Sequence, residues 1–269
     1  MQNPLDRAIY HPLAHRLARM LAPTFITPNM VSVAGGLAVV LAGLAYTQPP
    51  WPWSVALGVM LHMAWHVLDG TDGDLARMTG RTGAAGEIVD GVCDYVAHAV
   101  LYFTLAAAWS GQTGWWIWPL MLAAGASRVV QTNFHEARRR QFMAWAYGVP
   151  WLRTSEGFAV PMPFHPLVAG YLWLSGFFAK DYDRIDRAMA DPVQTGKLRA
   201  LGPARLAGSP LLGSPFRTLA LGLSMAAGSP VWYFLYEILV LNPVLVRAIM
   251  RSRRTLDALC AQEPASTLR

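Results

Sequence analysis

Charge is what this chain has least of. Asp, Glu, Lys and Arg make up 14% of its 269 residues, where a soluble domain usually carries about 25%. Hydrophobic residues reach 54% and mean hydropathy is +0.30, so the deficit reads as that of a membrane protein. Cysteine is equally scarce. Cys93 and Cys260 lie far apart in no metal-ligand spacing, which excludes a disulfide framework and a zinc site. No polar linker divides the chain, no internal repeat is evident, and residues 1–269 read as a single unit. The segment Met1 to Ala22 lacks the compact apolar core and small-residue cleavage site of a signal peptide. With Arg7, Arg16 and Arg19 scattered among apolar residues, positions 1–26 are expected to form an amphipathic helix on the membrane surface.

The excess of positive charge has a topological explanation. Net charge is +6 and the isoelectric point about 9.6, values that suggest nucleic acid in a soluble protein. Here the cations flank apolar runs, which excludes nucleic acid and favours anionic headgroups. Six segments are expected to span: Met30 to Tyr46, Trp53 to Leu68, Ala84 to Trp109, Trp115 to Thr132, Thr218 to Ala227 and Val231 to Met250. Their three outer connections, Gln48 to Pro52, Gly111 to Gly114 and Gly228 to Pro230, hold no charge. The Arg clusters, including Arg138-Arg139-Arg140 and Arg251-Ser252-Arg253-Arg254, all fall on the other side. That is the positive-inside pattern. Phe164 to Ala179 is apolar enough for a seventh span, but spanning would carry a charged loop outside. Pro166 to Met189 is therefore expected to lie on the surface, within an interfacial insertion over 142–213. The expected fold is an all-α membrane bundle of about six spans.

The densest chemistry sits in Asp69-Gly70-Thr71-Asp72-Gly73-Asp74-Leu75-Ala76-Arg77 and Gly86-Glu87-Ile88-Val89-Asp90-Gly91-Val92-Cys93-Asp94. Positions 69, 72, 73 and 76 share one helix face, as do 86, 90 and 94. A short Gly-rich connection, Met78 to Ala85, makes the two helices antiparallel neighbours. Asp69, Asp72, Asp90 and Asp94 are thus expected to converge near the inner interface. Carboxylates crowded in a membrane protein repel, and they are rare there without function. All-oxygen ligation suits one or two Mg²⁺ or Mn²⁺ ions. The alternating acids and closing Glu of a calcium loop are absent. Asp74 points off the stripe, toward solvent or an Arg.

The pattern Asp69-x-x-Asp72-Gly73-x-x-Ala76-Arg77, followed by Gly86-x-x-x-Asp90-x-x-x-Asp94, resembles the signature of the CDP-alcohol phosphotransferases at every fixed position. The Thr27-Pro28-Asn29 start of the first span is similar to the family too. The resemblance is weakest between Phe142 and Gly213. It implies two divalent ions on Asp69, Asp72, Asp90 and Asp94, with Asp94 also the general base for an attacking hydroxyl. It implies a CDP site formed by Asp69, Gly73, Ala76, Arg77, Gly86 and Asn29, and a reaction that releases CMP. It further implies a homodimer. The donor would be CDP-diacylglycerol, which the compact, bacterial-looking length favours, or a CDP-amino-alcohol. Glu87 and Cys93 look more like the choline/ethanolamine branch. The enzyme would then face the cytoplasm from a bacterial inner membrane.

Weaker signals surround this core. Arg128, Gln131 and Arg138 at the inner end of the fourth span could line an acceptor pocket, or merely anchor the interface. Arg138-Arg139-Arg140 reads first as a topology signal. His98 shares a face with Asp94 and could orient it; His62 and His66 precede Asp69 but are not read as metal ligands. Intramembrane prenyltransferases usually carry a second acidic motif far down the chain, and none exists here. A divalent-cation carrier would normally show inverted repeats, and would not need Gly73, Ala76, Arg77 and Gly86.

Overall fold

A computed structural model describes residues 6–149, 169 and 182–261. Among these the chain is helical and strand-free, an all-α membrane bundle. A π-helical turn, Asp6–Tyr10, leads into α1 (His11–Leu21). The long helices α2 (Pro28–Tyr46), α3 (Trp53–Thr79), α4 (Ala84–Thr113) and α5 (Ile117–Tyr147) follow. Three short helices come next: α6 (Tyr182–Met189), α7 (Pro192–Leu201) and α8 (Ala204–Ala207). The last pair is α9 (Ser214–Ala226) and α10 (Val231–Cys260), the latter carrying a π-helical turn at Tyr236–Val240.

Among the described residues, three helices are long and apolar enough to cross a bilayer: Pro28–Tyr46, Ala85–Thr113 and Val231–Cys260. The other three expected spans are helical as well, with different physics. α3 and α5 have 27 and 31 residues, but their C-terminal halves carry the acids and arginines. α9 has 13 residues, about 20 Å of rise against a hydrocarbon core of about 30 Å. On α2, Val33, Leu37, Leu41 and Leu44 form an exposed stripe at helical spacing. In water such a stripe would be costly; against lipid it is the expected outer face.

Local sequence explains the helix ends. Thr27 caps α2 by accepting from Met30 N, with Pro28 at the first helical position. Gly80 ends α3 at φ +67°, where Arg81 N reaches back to the Ala76 carbonyl at 2.9 Å. α5, which holds the fourth expected span, runs past Thr132 to Tyr147. It continues because its C-terminal half packs into a second, soluble-type core. There Phe142 and Ala146 pack with Ile185, Leu198, Leu206 and Leu256. The Arg199 guanidinium donates to the Ala146 carbonyl at the end of α5. Most of the Pro166 to Met189 segment lies outside the described residues, and its last turns form α6.

The N-terminal helix buries its small side against protein. Ala14 and Ala18 are essentially unexposed, and a Cβ at Gly70 of α3 would stand 3.0 Å from the Ala14 Cβ. Gly70 is therefore where α1 crosses α3. The main bundle core packs Val39, Tyr46, Trp65, Leu101, Leu105 and Phe234. A Cβ at Gly58 would meet the Tyr46 ring at 2.5 Å, and that ring is buried. Gly58→Ala is expected to lower the midpoint of thermal unfolding in detergent. Overpacking costs about 1–3 kcal/mol, and the helix propensity gained from Ala returns about 1 kcal/mol. An unchanged or raised midpoint would mean the Tyr46 ring has room to move.

Candidate metal and nucleotide site

The four acids reach one place from two helices. α3 supplies Asp69 and Asp72, and α4 supplies Asp90 and Asp94. Carboxylate oxygens of Asp69, Asp90 and Asp94 all lie within 4.8 Å of one another. Asp72 is more buried than the other three. It accepts from Ser32 Oγ of α2 at 2.5 Å and is hydrogen-bonded to Asp90. The donor set fits a hard divalent cation. Two oxygens on opposite sides of one Mg²⁺ stand about 4.2 Å apart, given metal–oxygen distances of about 2.1 Å. Three carboxylates at this spacing can meet on one such ion with little rearrangement.

Asp94 is held by an indole from the neighbouring helix. Trp65 Nε1 donates to its Oδ1 at 2.8 Å. Trp65 is four residues before Asp69 on the same face of α3, so the stripe that carries the acids also carries the indole. His98 Nδ1 lies 2.8 Å from the Asp94 carbonyl oxygen rather than its carboxylate. His62 and His66 form a buried ring cluster with Trp65 and His98. His66 Nε2 lies 2.9 Å from Thr218 Oγ1. Among the described residues, neither joins the carboxylates as a ligand group.

The small residues expected around a nucleotide are where space exists. Gly73 opens toward the Arg77 guanidinium, and Gly86 faces Asn29 Oδ1 at 3.9 Å from its hypothetical Cβ. Asn29, at the start of α2, is thus brought to the second half of the motif. Arg77 donates to Asp74 at 2.6 Å and its side chain is two-thirds exposed. His15 of α1 lies 3.2 Å from the same carboxylate. Asp74 therefore faces Arg77 and His15, outside the metal stripe.

The C-terminal half of α5 brings cations toward the site. Glu136 accepts from Arg139 and Arg140 at 2.7 Å, and Arg140 also donates to Glu87 of α4 at 2.9 Å. Burial alone would raise the Glu136 carboxyl; the two guanidiniums outweigh it and hold that group well below the usual carboxylate range. Arg139 lies within electrostatic reach of Asp69, and Arg140 of Asp90. The arginine run, which reads in sequence as a topology signal, thus also carries this ion-pair network. The spacing of Glu136, Arg139 and Arg140, three and four apart, was the available clue.

Arg128, Gln131 and Arg138, the residues expected at an acceptor pocket, have these contacts. Arg128 donates to Tyr233 Oη at 3.1 Å. Gln131 is unexposed; its amide nitrogen reaches the Glu237 carbonyl at 2.9 Å and Asn242 at 2.7 Å. Arg138 donates to Gln141 at 2.8 Å and lies over the Phe134 ring. The centre of the network that takes Arg128 and Gln131 is a buried ion pair, Arg217 to Glu237 at 3.0 Å.

Comparison with known proteins follows the same residues. The CDP-alcohol phosphatidyltransferase family matches positions 25–179, more than half of the chain. An ethanolaminephosphotransferase 1 of Pongo abelii is 29% identical over 128 residues, 42% of this chain and 32% of the relative. A phosphatidylinositol phosphate synthase of Cutibacterium acnes is 25% identical over 130 residues, 48% of this chain and 59% of the relative. An archaetidylinositol phosphate synthase of Pyrococcus horikoshii is 31% identical over 106 residues, 39% of this chain and 54% of the relative. The aligned stretches thus span between about a third and three-fifths of those relatives.

Proposed function

The chain belongs to the CDP-alcohol phosphatidyltransferase family, and on that premise we propose that it transfers a substituted phosphate from CDP-diacylglycerol to an alcohol, releasing CMP. The observation that carries this reading is the convergence of Asp69, Asp90 and Asp94 within 4.8 Å, with Asp72 beside them. Asp69, Asp72, Asp90 and Asp94 would hold two divalent ions, Mg²⁺ or Mn²⁺. When bound, such ions neutralise diphosphate charge and so make CMP a competent leaving group.

The chain's own groups do the rest. Asp94 accepts the proton of the acceptor hydroxyl, whose oxygen forms a bond to the lipid-side phosphorus. The bond from that phosphorus to the oxygen it shares with the cytidine-side phosphate breaks, and CMP leaves with that oxygen. Trp65 fixes one Asp94 oxygen and leaves the other for the proton. Gly73, Ala76 and Gly86 leave room for the nucleotide, with Asn29 at its edge. Arg77, which is exposed and paired only to the partly exposed Asp74, can turn to the diphosphate. The cationic inner loops support an active site that faces the cytoplasm, in a bacterial inner membrane. A homodimer is part of the same reading.

A second reading keeps the chemistry and exchanges the lipid: a CDP-amino-alcohol donor and a lipid hydroxyl acceptor. Glu87, Cys93 and the ethanolaminephosphotransferase relatives favour it. One assay separates the two. Purified protein in detergent is given Mn²⁺ or Mg²⁺ and either CDP-diacylglycerol with a panel of alcohols, or CDP-ethanolamine with diacylglycerol. Acceptor-dependent CMP from the first pairing alone supports the main reading; CMP from the second alone replaces it. Chelation of the divalent ions is expected to lower CMP release to background and Mn²⁺ to restore it. CMP release indifferent to chelation would remove the metal role.

A further inference from the structure

A second concavity lies away from the carboxylates. It is a groove of about 1330 Å³ between the short helices α7 and α8 and the inner end of α10. Sites for drug-sized molecules are smaller, at about 300–1,000 Å³. Arg205 reaches it from one wall, and Arg247, Arg251 and Arg254 from the other. The last three are spaced four and three apart, so they form one stripe on α10. None of these four side chains has a hydrogen-bond or ion-pair partner among the described residues. Among the described residues, no Asp or Glu lines the groove. Its remaining surface is largely apolar, with Leu201, Leu211, Val244 and Met250 contributing, and Leu201 and Met250 are 40% and 47% exposed.

A topology signal alone does not account for this. Positive-inside charge needs only to flank a span, whereas here cations on two separate elements face one apolar-floored cleft. Arg253 makes the distinction visible: it sits within the same basic cluster, is exposed, and does not line the groove. The geometry points to a binding site for one anionic phospholipid, its phosphate held among Arg205, Arg247, Arg251 and Arg254 and an acyl chain along the apolar floor. The lipid is favoured over a water-soluble phosphate because of that floor, and because the groove opens at the inner end of a helix apolar enough to cross the bilayer. None of Asp69, Asp72, Asp90 or Asp94 lines it, so the inference does not depend on the catalytic reading.

The test is native mass spectrometry of the full chain from an uncharged detergent, titrated with phosphatidylglycerol and, separately, phosphatidylcholine. One phosphatidylglycerol is expected to remain bound where phosphatidylcholine does not. Arg247→Gln with Arg251→Gln is expected to weaken that binding about thirtyfold, at about fivefold per cation near an anionic surface. Arg253→Gln, which removes the same charge outside the groove, is expected to leave it unchanged. If the double variant fails to fold, Leu201→Glu places a carboxylate in the groove at an exposed position and is expected to weaken phosphatidylglycerol in the same way. Equal loss in Arg253→Gln would show charge without a site. Equal retention of phosphatidylcholine, or displacement of the lipid by inorganic phosphate or glycerol phosphate, would also overturn the assignment.

Discussion

Asp94→Asn is expected to lower acceptor-dependent CMP release by about a hundredfold to ten-thousandfold, the usual worth of a positioned general base. The substitution keeps an oxygen that can face a cation and keeps the length of the side chain. What it removes is the capacity to take a proton. The geometry supports a selective loss. Trp65 Nε1 holds one Asp94 oxygen at 2.8 Å, and the Asn side-chain oxygen can accept that same bond. The fold and the nucleotide site should therefore persist. Steady-state CMP release gives the rate; calorimetric titration with the CDP-linked donor gives the binding. Slow turnover with donor affinity within a few-fold of wild type is the expected pair of results. Turnover near wild type would take the base role away from Asp94. Loss of donor binding would make it chiefly a ligand.

Glu237→Gln is expected to be the most damaging single change to the fold. Glu237 is unexposed and Arg217 is 1% exposed. The pair meets at 3.0 Å, and Arg128 stands 3.8 Å from the same carboxylate. Tyr233 donates to it at 2.7 Å, while Arg217 also donates to Gln131 at 2.8 Å. Removing the one negative charge leaves two guanidiniums together in the bundle interior. Breaking a buried pair from one side costs about 3–5 kcal/mol, because the remaining charge is uncompensated. A sharp drop in folded yield and in the unfolding midpoint in detergent is the expected measurement. Adding Arg217→Met should recover part of the loss, since one stranded charge goes with it. A Glu237→Gln protein as stable as wild type would mean that water or lipid headgroups solvate the pair.

Much of the candidate site is legible in the linear chain because its spacing is a local property. Asp69 and Asp72 share a face by helical geometry, as do Asp90 and Asp94, whatever surrounds them. The short connection between Thr79 and Ala84 then leaves the two helices few ways to pack apart. The charge-free outer connections followed from counting, since loop charge responds to the bilayer rather than to any partner residue. Gly70 was readable as a small residue but not as the crossing point of α1, which depends on Ala14 arriving from the N-terminus.

Long-range pairing is where local reading ends. Ser32 caps the Asp72 carboxylate from 40 residues away, and a serine in an apolar span carries no mark of its partner. Arg128 and Gln131 read equally well as an acceptor pocket or as interface anchors. Glu237, 106 residues beyond Gln131, ties both into a buried network. A charge buried at depth requires some partner, so the sequence determined that Arg128 would not be alone. Which partner it found depended on how α5, α9 and α10 pack, and only the tertiary structure decided that.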